Sequence, residues 1–274
     1  MLPSASNSHI LKVCKFEAIY NFGDSISDTD NLIKRNMILF FLSSLWPKLV
    51  QSNGLVIIDS LIRDPLNNTS LNKQLNWMYS PFNTTWHNSK DCAKKHRRSL
   101  FLIGEIGAND YHYAFFQGKS VNDLKHMVPY VVKAIKDAVT VELLNLMTLE
   151  FTVLVHFPIG CIPIYPTGFH SNDYSAYNEF HCLKGLNNFS MYHNEQLQQA
   201  IEELQEEHLN ETIVYADYYN AYKWILRKAA LLGFDPKSLQ KAYCGSGGDY
   251  DFSLTRMCGA PNVPVCPKPG ERIS

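Results

Sequence analysis

A chain of 274 residues with a formal net charge of −1, 46% hydrophobic and 19% charged, carries enough apolar material for one sizeable core. The near-neutral balance leaves no basic field for nucleic acid or for an anionic membrane surface. No Pro/Gly/Ser-rich linker, internal repeat or low-complexity tract divides the chain, so residues 1–274 read as one domain.

Taken in order, the opening stretch MLPSASNSHILKVCKF lacks the apolar run of a secretory leader, and no signal peptide is expected in this chain. Residues 16–22 make a first short apolar strand. Gly23 then permits a sharp turn, Ser25 follows, and Asp28 and Thr29 have the character of helix-start residues. The apolar run at residues 37–46 is too short to span a bilayer and reads as a buried helix or strand. A second strand is expected at 99–104 (SLFLIG), a third at 151–156 (FTVLVH) and a fourth at 212–216 (TIVYA).

Helical patterns fill the intervals. After Ser120, a plausible cap, Val121, Leu124, Val128, Val131, Ile135 and Ala138 fall on one stripe, which Pro129 should kink. In HNEQLQQAIEELQEEH, Leu197, Ala200, Ile201 and Leu204 face inward. Glu202, Glu203, Glu206 and Glu207 then form a solvated face rather than a metal site. Short apolar strands alternating with helices predict an α/β fold with a parallel sheet covered on both faces. The aromatic-rich DYYNAYKW after the fourth strand reads as packing, with a part in lining an apolar acyl pocket as the alternative.

In such sheets chemistry collects at the carboxyl ends of the strands. Ser25 sits after the first strand, and Asn109, in GEIGANDY, sits just after the second. A serine attacks an ester only with a base to take its proton and donors for the oxyanion. The Asn109 amide and the Ser25 backbone N–H are candidate donors. Taken alone, Gly-Asp-Ser reads rather as a turn and Asn-Asp as the cap of the next helix.

The chain resembles the plant GDSL esterase/lipase family of SGNH hydrolases through an ordered set of segments. They are FEAIYNFGDSISDTDN, LFLIGEIGANDYHYAFFQGKS, FPIGCIPIY, CLKGLNNFSMYHNEQLQQAIEEL, TIVYADYYNA and MCGAPNVPVCPKPGERIS. The resemblance implies a three-layer α/β/α sandwich with a mostly parallel sheet, of the flavodoxin-like hydrolase type and incomplete at the C-terminus. It implies a secreted enzyme that cleaves small-molecule or lipid carboxylic esters with no metal and no organic cofactor. Ser25 would be the nucleophile and backbone oxyanion donor, and Asn109 the side-chain oxyanion donor. Nucleic acid, a transmembrane segment and a particular oligomeric state are not implied.

Several positions depart from the family pattern. Asp30 stands where the first block, Gly-Asp-Ser-x-x-Asp-Thr-Gly-Asn, has its last glycine. An internal segment after about residue 62, whose glycine supplies a further oxyanion N–H, has no counterpart. The family's Asp-x-x-His segment, which supplies the general base and its carboxylate, is not found before Ser274, so both are expected to be absent from this chain. His112 and His156 are the nearest stand-ins, and a histidine at a strand end is more often a hydrogen-bonded structural group. Two readings follow: an ester hydrolase by descent with a Ser25 nucleophile, whose turnover in this chain is expected to lie only marginally above background, or a catalytically inactive α/β module that binds a ligand or partner.

Compartment is read from sequons and cysteines. Asn67, Asn68, Asn83, Asn188 and Asn210 head Asn-x-Ser/Thr sequons, and the cysteines show no C-x-x-C pair. That combination fits a secreted glycoprotein with disulfides involving Cys244, Cys258 or Cys266. The glycine-rich CGSGGDYD lacks the strand and the Gly-Lys-Ser/Thr of a phosphate loop.

Overall fold

The computed structural model describes residues 18–23, 51–52, 71, 75, 99–146, 150–245, 247–256 and 262–273. Within them, β1 (Ala18–Phe22), β2 (Gln51–Ser52), β3 (Ser99–Gly104), β4 (Glu150–Leu154) and β5 (Thr212–Ala216) form a parallel sheet in the order β2-β1-β3-β4-β5. The four expected strands all lie in it, every neighbouring pair parallel. β2 was not legible in the sequence; two residues paired to Tyr20 and Asn21 carry no periodic signal.

β1, β3 and β4 are short and largely apolar, and β3 and β4 are mostly buried. Phe101 on β3 is fully buried and faces Phe151 of β4 in register, their ring centroids 5.4 Å apart. Tyr20 of β1 packs on the other side of Phe101 at 4.9 Å. Burying a side chain of this size contributes about 1.5–3 kcal/mol.

The helices are α1 (Ala108–Phe116), α2 (Val121–Leu146), α3 (Ile164–Gly168), α4 (Lys184–Glu207) and α5 (Tyr218–Leu232). A reciprocal capping box starts α2: Ser120 N–H donates to the Asp123 carboxylate at 2.8 Å, and Asp123 N–H donates to Ser120 Oγ at 3.2 Å. The predicted stripe is the buried one, with Leu124, Val128, Val131, Ile135 and Ala138 all in the core and Val121 packed against it. The helix runs through Pro129, which lies on the exposed side, where the carbonyl it leaves unbonded can be hydrated.

α4 packs beside α2 and turns Leu197, Ala200, Ile201 and Leu204 into the core. Glu203 and Glu207, on the expected solvated face, both reach Lys136 of α2, at 2.7 and 3.3 Å. α4 begins well before the periodic window, and its early inward residues mix apolar Leu186 and Phe189 with polar Asn187, Ser190, His193 and Asn194. Asn187 accepts from Gly160 N–H at 2.9 Å, and Asn194 accepts from His156 N–H and donates to the His156 carbonyl, both at 2.9 Å. The same Asn194 clamp explains why β4 ends at Leu154 rather than at the expected 156: the backbone of His156 is bonded to a side chain instead of a strand.

Candidate active site

Among the described residues β1 has β2 on one side and β3 on the other, a switch point of the kind beyond which open α/β sheets bind ligands at the carboxyl ends of their strands. Phe22, the last residue of β1, pairs in register with Ile103, next to last in β3. The chain therefore leaves both strands at one level.

From Gly104 the β3 exit is a tight bend: buried Glu105 at φ 46°, buried Ile106, then Gly107 at φ 90° as the residue before α1. Gly107 is needed there twice over. A side chain disfavours that backbone, and a Cβ would lie 2.5 Å from Cγ1 of Val131 on α2. α1 then splits into two faces. Asp110, Tyr111, Ala114 and Phe115 are buried, while Asn109, His112 and Tyr113 are partly exposed and Phe116 is exposed. Asn109 is the second residue of α1, and its side-chain amide makes no hydrogen bond to any described residue.

Beneath this bend lies a buried polar cluster that the sequence did not reveal. A carbonyl only accepts, so His156 must carry its hydrogen on Nε2, which donates to the Ile106 carbonyl at 3.0 Å. The His156 and His193 rings lie 4.0 Å apart, and His193 Nδ1 is 2.9 Å from the Tyr111 hydroxyl. Burial lowers His156 to about 4, offset slightly by the bond to Ile106. Burial, and then repulsion from His156, takes His193 well below the usual range. Burial and then the Asp110 charge hold the Tyr111 hydroxyl protonated. Only contacts between distant segments create this cluster, which is why no local pattern announced it.

Ser25, Asp28, Thr29 and Asp30 lie outside the described residues, as do the apolar run at 37–46 and the sequons at Asn67, Asn68 and Asn83. Asn109 stands at the mouth of the β3 exit. His156, the nearest stand-in for a general base, is 2% exposed with its Nε2 committed, so it is sealed from any substrate. His112 packs against Phe116 and Tyr165, with centroids at 4.6 and 5.8 Å, and burial lowers its pKa. Asn188 and Asn210 are both exposed.

The expected disulfide involving Cys244, Cys258 or Cys266 is present at Cys244, and a second joins two cysteines for which no pairing was expected. Cys161 and Cys182 form a disulfide, Cys244 is disulfide-bonded, and Cys266 is free. Among the described residues no helix is long and apolar enough to cross a membrane. Tyr218 of DYYNAYKW stacks on Phe157 and Tyr222 meets it edge-on, the packing role expected of them.

A parallel sheet flanked by helices defines an α/β hydrolase-like sandwich. The chain belongs to the GDSL-like lipase/acylhydrolase family, whose model matches residues 19–251. It is 39% identical to a GDSL esterase/lipase of Arabidopsis thaliana, over 97% of this chain and 84% of the relative. It is 34% identical to acetylajmalan esterase 2 of Rauvolfia serpentina, over 98% and 87%. It is 38% identical to sinapine esterase of Brassica napus, over 79% and 56%. The Rauvolfia alignment is 326 positions long against a chain of 274 residues, so that relative carries internal stretches this chain lacks. The family's activity is hydrolysis of carboxylic esters.

Proposed function

We propose that Ser25 is the nucleophile of this ester hydrolase and that Asn109 is its side-chain oxyanion donor. The observation that carries the reading is the in-register exit of β1 and β3 at the switch point of the sheet. Ser25 follows Phe22 by three residues, and Asn109 follows Gly104 by five, so covalent reach keeps both near that switch point. The open amide of Asn109, on the exposed face of α1, supports a role toward solvent rather than in packing.

The chemistry is acyl transfer. Ser25 Oγ bonds to the ester carbonyl carbon, and its proton passes to a base. The carbonyl oxygen becomes an oxyanion that accepts from Asn109 Nδ2 and from the Ser25 N–H. Collapse expels the alcohol, and water then releases the acid from the acyl-serine. The core pair His156 and His193 does not serve as the base, since both rings are buried away from substrate and burial lowers their basicity.

The names of two relatives, acetylajmalan esterase and sinapine esterase, support a small-molecule ester as substrate. The Cys161–Cys182 disulfide, the bonded Cys244 and the exposed asparagines of the Asn188 and Asn210 sequons support maturation in the secretory pathway. Hydrolysis of p-nitrophenyl acetate tests the site. Ser25→Ala should abolish enzyme-dependent turnover, and Asn109→Ala should lower kcat by roughly two to three powers of ten. Turnover that survives Ser25→Ala undiminished assigns the nucleophile elsewhere.

A further inference from the structure

We infer that His156 is a positioning residue for the oxyanion donor, holding the β3–α1 bend through the Ile106 carbonyl so that Asn109 is presented to the substrate. The inference rests on the reading of Asn109 given above.

The two flanks of Asn109 are tied to one buried patch. Three residues before it, the Ile106 carbonyl accepts from His156 Nε2 at 3.0 Å. Two residues after it, the Tyr111 hydroxyl meets His193 Nδ1 at 2.9 Å. The backbone of His156 is held in turn by Asn194, which takes both of its polar groups, and each imidazole meets the Tyr111 ring at 5.5 Å. The imidazole of His156 therefore has no freedom to follow the loop; the loop must follow the imidazole. Val131 against Gly107 closes the bend from the side of α2.

An apolar residue of similar volume would fill the site at 156 equally well. What it would not supply is an N–H for the Ile106 carbonyl, which is buried in a residue only 1% exposed. An unmet buried carbonyl seeks another partner, and the cheapest is reached by moving the bend. A displacement of that kind at the oxyanion donor is felt in kcat and not in substrate binding, because the donor acts on charge present only in the transition state.

The experiment is a double-mutant cycle on p-nitrophenyl acetate hydrolysis, with amide hydrogen exchange of residues 105–109 measured on the same proteins. His156→Leu should lower kcat about tenfold with KM unchanged, the loss expected for one hydrogen bond. His156→Gln, whose terminal amide reaches the Nε2 position, should restore most of the rate. His156→Asn, polar but too short, should behave like His156→Leu and replaces it should the leucine variant not fold. In the Asn109→Ala background, His156→Leu should cost nothing further. Amides at 105–109 should exchange about tenfold faster in the leucine variant and recover in the glutamine variant, a reading that needs no turnover. Unchanged exchange, an unchanged kcat, or a loss that multiplies in full onto Asn109→Ala overturns the inference. An Asn109→Ala protein with full rate instead sinks the oxyanion reading itself. An Asn109→Ala loss beside an intact His156→Leu rate sinks the role of His156 alone.

Discussion

The imidazoles of His156 and His193 lie 4.0 Å apart in the core, and neither is charged at neutral pH. The groups around them are Tyr111, the Ile106 carbonyl and the Asn194 amide, none of them a carboxylate that would favour a second proton. In the unfolded chain both histidines titrate near the ordinary value of about 6.5. Their folded values are lower, so the stability they confer is complete above that pH and is lost as pH falls from about 6.5 toward 4. His156 alone accounts for about 3 kcal/mol of that loss. Urea midpoints measured from pH 7.5 down to 4.5 should fall steadily, and His156→Gln combined with His193→Gln should flatten the curve. Asp123, Asp173 and Asp235, held low first by bonds to Ser120, Ser175 and Lys237, act in a separate window: their contribution is lost only below about 3.8. A level midpoint between pH 7.5 and 4.5 would contradict the neutral pair.

Gly160 is the tightest approach between the segment leaving β4 and the start of α4. Its carbonyl accepts from Leu183 N–H at 2.9 Å, and the Cys161–Cys182 disulfide joins the same two segments one residue on. A Cβ at 160 would lie 2.2 Å from the Leu183 carbonyl oxygen and 2.9 Å from Asn187 Oδ1. Gly160→Ala should therefore destabilise by about 1–3 kcal/mol, the usual cost of overpacking. Replacing both cysteines by alanine opens a loop of 21 residues and should cost about 3 kcal/mol. Denaturant midpoints read both effects; a Gly160→Ala protein that unfolds where the parent does would refute the close approach.

β3 and β5 could be read to the residue because SLFLIG and TIVYA are unbroken apolar runs between polar turns. The stripes of α2 and of the second half of α4 were equally plain. The first half of α4 was not, because Asn187, Ser190, His193 and Asn194 are buried there to bond the segment leaving β4. Polar residues turned inward erase the periodicity on which a helix is recognised. The position of Asn109 followed from the strand-end rule. The histidine cluster beneath it depends on contacts 38 to 82 residues apart, and no local pattern encodes them.

The two sequons within the described residues should differ in occupancy. Asn210 lies in the exposed turn before β5, and Thr212 of its sequon is exposed. Asn188 lies in the first turns of α4, and Ser190 of its sequon is fully buried, accepting from Ile159 N–H at 3.4 Å. The acceptor site must be presented as an extended, accessible segment, and only the Asn210 sequon stays so once the chain folds. Expressed behind a signal peptide, the protein should carry more glycan at Asn210 than at Asn188. Mass spectrometry of glycosidase-treated peptides, scoring Asn-to-Asp conversion, measures the ratio. Equal or reversed occupancy would show that folding does not gate the modification, and no conversion at either site would count against the secretory reading.

Gly107→Ala tests whether the bend before α1 is as constrained as its surroundings make it. Two separate costs meet at this residue. The backbone at φ 90° penalises any L side chain by roughly 1–2 kcal/mol. The new methyl would also meet Val131, at 2.5 Å from Cγ1 and 3.2 Å from Cγ2, and relieving that contact requires α1 or α2 to move. Val131 is itself fully buried under the sheet, so α2 yields less readily than the short α1. The bend should therefore shift outward and carry Asn109 with it. The expected outcome is a stability loss of more than about 2 kcal/mol together with a fall in kcat at unchanged KM. Adding Val131→Ala removes the clash but not the backbone strain. It should recover part of the rate, while opening a cavity that costs stability of its own. A Gly107→Ala protein with parental kcat and parental urea midpoint would show that the bend tolerates displacement, and that the Asn109 position is set by something other than α2.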